Sequence, residues 1–209
     1  MPNSAHSAGR LELLRAEIKI LEQAVDEEIC RTREQINYTF QNGRVLISKD
    51  VLKVQRMFRR GLVRYILGSD LLFILSSPII YSLIVPAIIL DLFCGFYQFV
   101  CFPIYRIPKV DRSLYIRIDR HKLGYLNAVE KLNCTFCAYF NGTLAYASEI
   151  ASRTEQYWCP IRHAVAMKGG HGRYTKFFEY GDAESYSKKL KQLRNELEST
   201  SAVSAASKK

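Results

Sequence analysis

The chain has 209 residues, of which 48% are apolar, and it carries a net charge of +10. This length allows one domain, or two small ones around a membrane segment, and the six cysteines are not spaced like the framework of a disulfide-rich secreted protein. A basic excess suits nucleic acid or anionic lipid. No nucleic-acid-binding motif accompanies it, so binding to nucleic acid is not expected.

The first segment, residues 1–47, is predicted to contain an amphipathic helix or a short coiled coil. Glu, Arg and Lys surround apolar positions that recur every three or four residues, as such a helix requires. The helix can pack on its own protein or on a partner, including a second copy, and the pattern leaves both open. The apolar positions are Leu11, Leu14, Ile18, Leu21 and Val25.

Residues 48–70 are predicted to form a basic helix at a membrane interface. Ser48 or Asp50 can cap its first turn, and Val51, Val54 and Phe58 share one side. A basic amphipathic helix next to a hydrophobic segment is typical of an interfacial helix, although an ordinary solvated face gives the same pattern. The cations expected to contact anionic lipid headgroups are Lys53, Arg56, Arg59, Arg60 and Arg64.

A long apolar stretch, Leu71 to Ile104, follows and is predicted to be a membrane segment. It contains one formal charge, Asp91, in 34 residues. A helix crosses the hydrocarbon core with about 20 apolar residues, so this stretch is long for one span and short for two. Asp91 is costly there unless it is paired, which places it against a protein neighbour, in a wet cavity, or near a headgroup at the end of a span from Leu71 to Leu90.

Charge on the two flanks decides between the topologies. Six Lys and Arg residues lie between Lys49 and Arg64, and six more between Arg106 and Lys122. Segments rich in Lys and Arg remain on the cytoplasmic side of a membrane, whereas a single span would place one of these two flanks on the opposite side. We therefore predict a hairpin, either re-entrant or with two tight passes, with both termini in the cytoplasm.

Residues 105–180 are predicted to form a cytoplasmic domain, and residues 181–209 a last helix with a disordered tail. The pattern predicts a strand from Ser113 to Asp119, a helix from about His121 to Leu132, and another from about Ala138 to Tyr157. Asp182 is expected to cap the last helix, which runs to about Glu198 before the tail at 199–209.

Three cysteines and a histidine in this domain have the spacing of a metal site. Cys134 and Cys137 form a C-x2-C pair, and Cys159 and His163 form a C-x3-H pair after 21 intervening residues. Two such pairs can close a tetrahedron around zinc, and four protein ligands make a structural site rather than a catalytic one. Ligand spacing does not distinguish zinc from iron.

The sequence predicts no catalytic residues, and a non-enzymatic role is favoured. The first hypothesis is a membrane-anchored zinc protein that acts as a scaffold or as a subunit of a membrane assembly. The alternatives are a membrane-bound redox component with a rubredoxin-like iron site and an anionic-lipid-binding, membrane-organising protein. Glu149 and Arg153 are expected to be an exposed i,i+4 pair.

Two segments, DRHKLGYLNAVEKLNC and EQYWCPIRHA, carry a resemblance to a known group. Over about Arg64 to Ala164 the chain resembles a family of uncharacterised bacterial inner-membrane proteins. The resemblance implies a bacterial inner-membrane location and no reaction. The expected fold is thus mainly α, with a membrane hairpin, a cytoplasmic Cys3His subdomain and terminal helices.

Overall fold

The computed structural model describes residues 4–35, 38–41, 44–165 and 167–206. The protein is mainly helical, as predicted. Its helices are α1 (Ser4–Gln35), α2 (Lys49–Met57), α3 (Leu62–Leu67), α4 (Leu71–Ser82), α5 (Ile84–Ile104), α6 (Ala128–Trp158) and α7 (Ala183–Ala206), and its strands are β1 (Tyr38–Gln41) and β2 (Arg44–Ile47).

The described chain divides into two compact units. One unit contains the residues up to Arg60 together with Lys122–Asn127, and the other contains Gly61–His121 and the residues from Ala128 onward. In the first unit, β1 and β2 pair antiparallel, with Tyr38 opposite Ile47. Ser48 caps α2 as predicted, since its Oγ accepts the Val51 backbone N–H at 3.3 Å.

Among the described residues, one helical stretch is long and apolar enough to cross a membrane, and it is Leu71–Ile104 in the second unit. A single break at Leu83 separates α4 from α5. The predicted hairpin is therefore not confirmed. Pro78 lies inside α4 and Pro103 inside α5, while Pro86 falls in the first turn of α5, where a missing N–H costs little.

The core of this unit lies where α5 and α7 pack on α6. Phe102, Tyr146, Ile150 and Leu197 are almost fully buried and belong to one cluster. On α6, Ala138, Gly142, Tyr146 and Ile150 recur every four residues, which places them on one face of the helix. This spacing explains why α6 is a single helix rather than the two predicted helices with a cysteine turn between them.

Three other local predictions are wrong. The predicted strand at Ser113–Asp119 is instead a 3-10 turn, Arg112–Leu114, followed by irregular chain. Ile116 packs over Gly142 of α6, whereas Leu114 and Ile118 are exposed, so the alternating side chains do not share one covered face as in a strand. The helix predicted from His121 begins only at Ala128, and α7 continues to Ala206, through most of the predicted tail. The alanines and serines after Glu198 extend a helix that Leu193 and Leu197 pack against the core.

Candidate functional site: an apolar face bordered by cations

The helix α5 has two different faces. One face, here called the inner face, packs on α6 and on residues 105–121, here called the return segment. Asp91, Cys94, Gln98 and Phe102 recur at helical spacing on the inner face and are partly or fully buried. The polar groups of α5 thus all face protein.

The opposite face of α5, here called the outer face, is apolar and exposed. Leu92, Phe93, Phe96 and Phe99 expose 67–70% of their surface, and Ile89 exposes half. No charged residue lies on this face, because Asp91 is the only charge in Leu71–Ile104. A contiguous apolar surface of this kind marks contact with a membrane or another protein.

Asp91 is held by two residues from different elements. Arg112 of the return segment donates two hydrogen bonds to its carboxylate, with Nη2 2.6 Å from Oδ2 and Nε 2.9 Å from Oδ1. The Tyr139 hydroxyl on α6 donates to the same Oδ2 at 2.9 Å. Burial, with the hydrogen bond to Asp91 and its charge, raises the pKa of Tyr139, so the phenol remains a donor. Of the three surroundings that the sequence left open for Asp91, the structure shows the first, contact with protein neighbours.

The return segment runs back along α5 and is fixed to it by Gln98. The Gln98 Oε1 accepts the Val110 backbone N–H at 2.9 Å, while its Nε2 donates to the Tyr146 hydroxyl on α6. Further along, the backbone of Tyr115 and Ile116 crosses α6 directly over Gly142. A β-carbon at Gly142 would lie 2.8 Å from the Tyr115 carbonyl oxygen, so only glycine allows this approach.

Cations border the outer face. The Lys109 ammonium lies 4.8 Å from the centre of the Phe99 ring. Arg106 directly follows the helix in the left-handed region, with φ 56°, and is exposed. Its backbone N–H bonds the Pro103 carbonyl and that of Ile107 bonds Phe102, which is the hydrogen-bond pattern of a Schellman motif. This motif turns the chain so that Lys109 and Arg112 run alongside α5.

The predicted headgroup cations are exposed, but they belong to two units. Lys53 and Arg56 lie on α2, and Arg59 and Arg60 in the turn that follows it. Arg64 lies on α3 in the second unit. All five side chains are open to solvent, as headgroup contacts require.

A partly buried polar cluster on α6 contacts the return segment, where Arg153 Nη1 donates to the Pro108 carbonyl, and the 3-10 helix Gly172–Lys176. Glu149 Oε1 accepts hydrogen bonds from Arg153 Nε and Arg173 Nη2, both at 2.8 Å. Burial raises the pKa of Glu149, but the hydrogen bonds from Arg173 and Arg153 outweigh it, and the net pKa is lowered. The predicted Glu149–Arg153 ion pair exists. The expectation that it is exposed is wrong, because the pair is partly buried and shared with Arg173.

Next to this cluster, the His171 ring and the Glu155 carboxylate approach to 2.8 Å between Nε2 and Oε2. An imidazole and a carboxylate in contact can exchange a proton. The neighbouring Arg173 donates hydrogen bonds to Gln156 and Glu149. This contact joins the loop that follows α6 to the helix itself.

The predicted metal ligands are not brought together. Cys134 and Cys137 lie in the second and third turns of α6, whereas Cys159 directly follows its last residue. The 21 residues between Cys137 and Cys159, from Ala138 to Trp158, form continuous helix, which is about 32 Å long. His163 stacks on Tyr174 near Cys159. Within the described ranges, no group of three or more His, Cys, Asp or Glu side chains could hold a metal ion.

Sequence reasoning missed the partners of the polar residues rather than the residues themselves. Arg112 and Tyr139 lie 21 and 48 positions from Asp91, and Arg173 lies 24 positions from Glu149. No local spacing rule connects residues so far apart. The one available signal was a charge in an apolar stretch, which demands a partner without saying which.

Comparisons of the chain with models of known protein families, with curated proteins and with solved structures give no match. The geometry of this chain is therefore the basis for the function proposed below.

Proposed function

We propose that this protein is a membrane-anchored, non-enzymatic protein that binds the anionic lipid surface of a bacterial inner membrane, with both termini in the cytoplasm. The observation that carries the proposal is the division of α5 into an inner face packed on protein and an outer face of exposed Phe and Leu. Water does not stabilise such a face. Acyl chains do, at about 25 cal/mol for each Å² removed from water.

Charge supports lipid as the occupant. Lys109 lies at the edge of the outer face, and Arg106 lies just after the end of α5. Among the described residues, neither side chain forms an ion pair with a carboxylate. Basic residues beside an apolar surface bind anionic headgroups, at about 1 kcal/mol per cation near the surface. The same preference holds the basic flanks on the cytoplasmic side.

The test is flotation of purified protein with vesicles of phosphatidylcholine alone or with added phosphatidylglycerol. We expect binding to both, because the outer face drives insertion, and tighter binding to the anionic vesicles that weakens at high salt. Lys109→Gln should reduce the anionic preference, whereas Lys188→Gln on α7, already paired with Glu184, should leave it unchanged. Failure to float with either vesicle contradicts the proposal.

We also propose a scaffold role for this protein, in which two copies of the chain associate through α1. Leu14, Ile18, Leu21 and Val25 form a stripe at coiled-coil spacing, and each exposes 47–65% of its surface. In a parallel pair, Glu17 would lie opposite Glu22 of the second copy, and like charges repel. An antiparallel pair instead stacks Leu14 on Val25 and Ile18 on Leu21 without that conflict.

Cross-linking of the full-length chain in detergent tests this pairing. Ile18→Glu should abolish the cross-linked dimer, and Gln23→Glu, on the opposite side of α1, should retain it. A chain with Leu14→Cys should cross-link to one with Val25→Cys. Dimer formation by Ile18→Glu at the unchanged level would exclude α1 as the interface.

A further inference from the structure

We propose that α5 lies in the plane of the membrane–water interface instead of crossing the bilayer, with its outer face among the acyl chains and lipid phosphates at Lys109 and Arg106. This inference rests on the proposed membrane anchorage and specifies its geometry. Length and composition alone equally allow Leu71–Ile104 to span. The residues packed along α5 decide between the two arrangements.

Consider first a span formed by α5 itself. Arg112 lies at the level of Asp91, and Lys109 at the level of Phe99, which is eight residues or about 12 Å further along the helix. The hydrocarbon core is about 30 Å thick, so both cations would lie well inside it. Arg112 is half exposed on its side chain and Lys109 is exposed, so protein does not shield them. Charged groups in hydrocarbon at these depths are strongly disfavoured.

A span from Leu71 to Leu90 meets a different obstacle. Tyr81, at the middle of this span, donates a hydrogen bond to Asn133 in the second turn of α6. The first turns of α6, with Glu130 and Lys131, would then lie beside the centre of the bilayer. The outer face at Phe93 and Phe96 would meanwhile remain in water. This register therefore buries polar chain and exposes apolar side chains, the reverse of what a bilayer favours.

An in-plane helix removes both conflicts. The return segment, α6 and α7 then share one side of α5, and the outer face enters the acyl chains. Lys109 and Arg106 reach the headgroup level, where phosphate is the available anion. Both basic flanks remain on the same side of the membrane, as their charge requires, without a hairpin.

The helix α4 fits the same in-plane arrangement, and it lies deeper among the acyl chains than α5. Most of its side chains are apolar, and Leu71, Leu72, Phe73, Leu75 and Ile79 each expose 63–73% of their surface. The hydroxyls of Ser76, Ser77 and Ser82 donate to carbonyls three residues earlier, so no side-chain donor of these serines needs water. At 12 residues, about 18 Å, α4 is too short to cross the core alone.

Depth-dependent fluorescence quenching distinguishes the two arrangements. Trp158 is the single tryptophan, so Trp158→Phe gives a silent parent chain. Three single-tryptophan variants of the full chain are then made on the outer face, by Phe93→Trp, Phe96→Trp or Phe99→Trp. The vesicles contain phosphatidylglycerol and phosphatidylcholine brominated at shallow, middle or deep acyl positions. The parent chain supplies the background.

An in-plane α5 gives one common depth for the three tryptophans. A spanning α5 gives depths that change steadily with residue number, by about 9 Å between residues 93 and 99. A steady gradient overturns the in-plane inference and leaves membrane anchorage intact. No quenching of any of the three overturns the anchorage, and the inference with it.

Discussion

The Tyr139 hydroxyl on α6 and the Asp91 carboxylate on α5 are 2.9 Å apart, although 48 residues separate them in the chain. This bond joins the one charge of the apolar stretch Leu71–Ile104 to the long helix α6. Arg112 binds the same carboxylate from the return segment. Three elements therefore meet at one side chain that is only 11% exposed.

Tyr139→Phe should lower the free energy of unfolding by about 1–2 kcal/mol, because it removes a hydrogen bond to a charged acceptor. Chemical unfolding in detergent micelles measures this. Tyr180→Phe is the matched control, since Tyr180 is 70% exposed and should be silent. In an Asp91→Asn background the effect of Tyr139→Phe should shrink. Equal losses in both backgrounds would mean that the bond to Asp91 does not carry the effect.

The approach of the return segment to α6 depends on glycine at position 142. Gly142→Ala should destabilise the protein by about 1–3 kcal/mol, because the new methyl meets backbone 2.8–2.9 Å away. Gly95→Ala on α5 is the control. No atom lies within 4 Å of its new β-carbon, so helix propensity should make it neutral or stabilising. Thermal unfolding of the two variants gives the comparison, and a stable Gly142→Ala chain would contradict the crossing.

Arg106 occupies a backbone conformation that favours glycine. Arg106→Gly should raise the free energy of unfolding by about 1 kcal/mol, because it relieves the left-handed strain. The same change should weaken binding to phosphatidylglycerol vesicles, because a cation at the headgroup level is lost. Unfolding in detergent and vesicle flotation check the two effects separately. Unchanged flotation would remove Arg106 from the lipid surface.

Acid should destabilise the domain through Glu149. Its pKa is lowered in the folded protein, because the hydrogen bonds from Arg173 and Arg153 favour the ionised carboxylate. The stabilisation is complete above the ordinary glutamate pKa. It is lost as pH falls through the lowered folded pKa, because the unfolded chain binds the proton more readily. The free energy of unfolding should therefore fall between about pH 5 and pH 3.

The variant Glu149→Gln provides the control for this pH dependence. It should be less stable at pH 7, because two guanidinium groups lose their carboxylate. Its stability should also change less with pH over the acid range. An acid limb as steep as that of the unmodified protein would assign the pH dependence to other carboxylates.

The cysteine pairs should behave independently. A continuous α6 separates Cys137 from Cys159 by about 32 Å, so the effects of Cys137→Ser and Cys159→Ser on unfolding should add. A chelator should leave the thermal unfolding curve unchanged. Bound zinc at about one ion per chain, with non-additive cysteine effects, would instead require α6 to break and would restore the predicted four-ligand site.

The sequence was sufficient for the features that depend on local pattern. The exposed apolar helix at Leu71–Ile104, the cap at Ser48 and the cap at Asp182, whose Oδ1 accepts the Ser185 N–H at 2.9 Å, all follow from composition and near neighbours. The requirement for a partner at Asp91 followed from the cost of burying charge. Each of these predictions uses residues within a few positions of one another.

The features that local pattern did not supply depended on long-range packing. The C-x2-C spacing at Cys134 is equally compatible with a metal turn and with two positions of a helix, and the four-residue repeat from Ala138 to Ile150 decides for helix only once α5 and the return segment are packed on it. Ser113–Asp119 alternates like a strand, but a strand needs a neighbour to pair with. In both cases the deciding information lies more than 20 residues away.

The order of α5 and α6 along the chain has a consequence for biosynthesis. Synthesis proceeds from the N-terminus, so α5 is complete 54 residues before α6 ends at Trp158. At 5–20 residues per second, this interval lasts roughly 3–11 s. During that time Asp91 and Gln98 have no α6 to bind, and the apolar side of the nascent helix is available to a membrane before its own domain has formed.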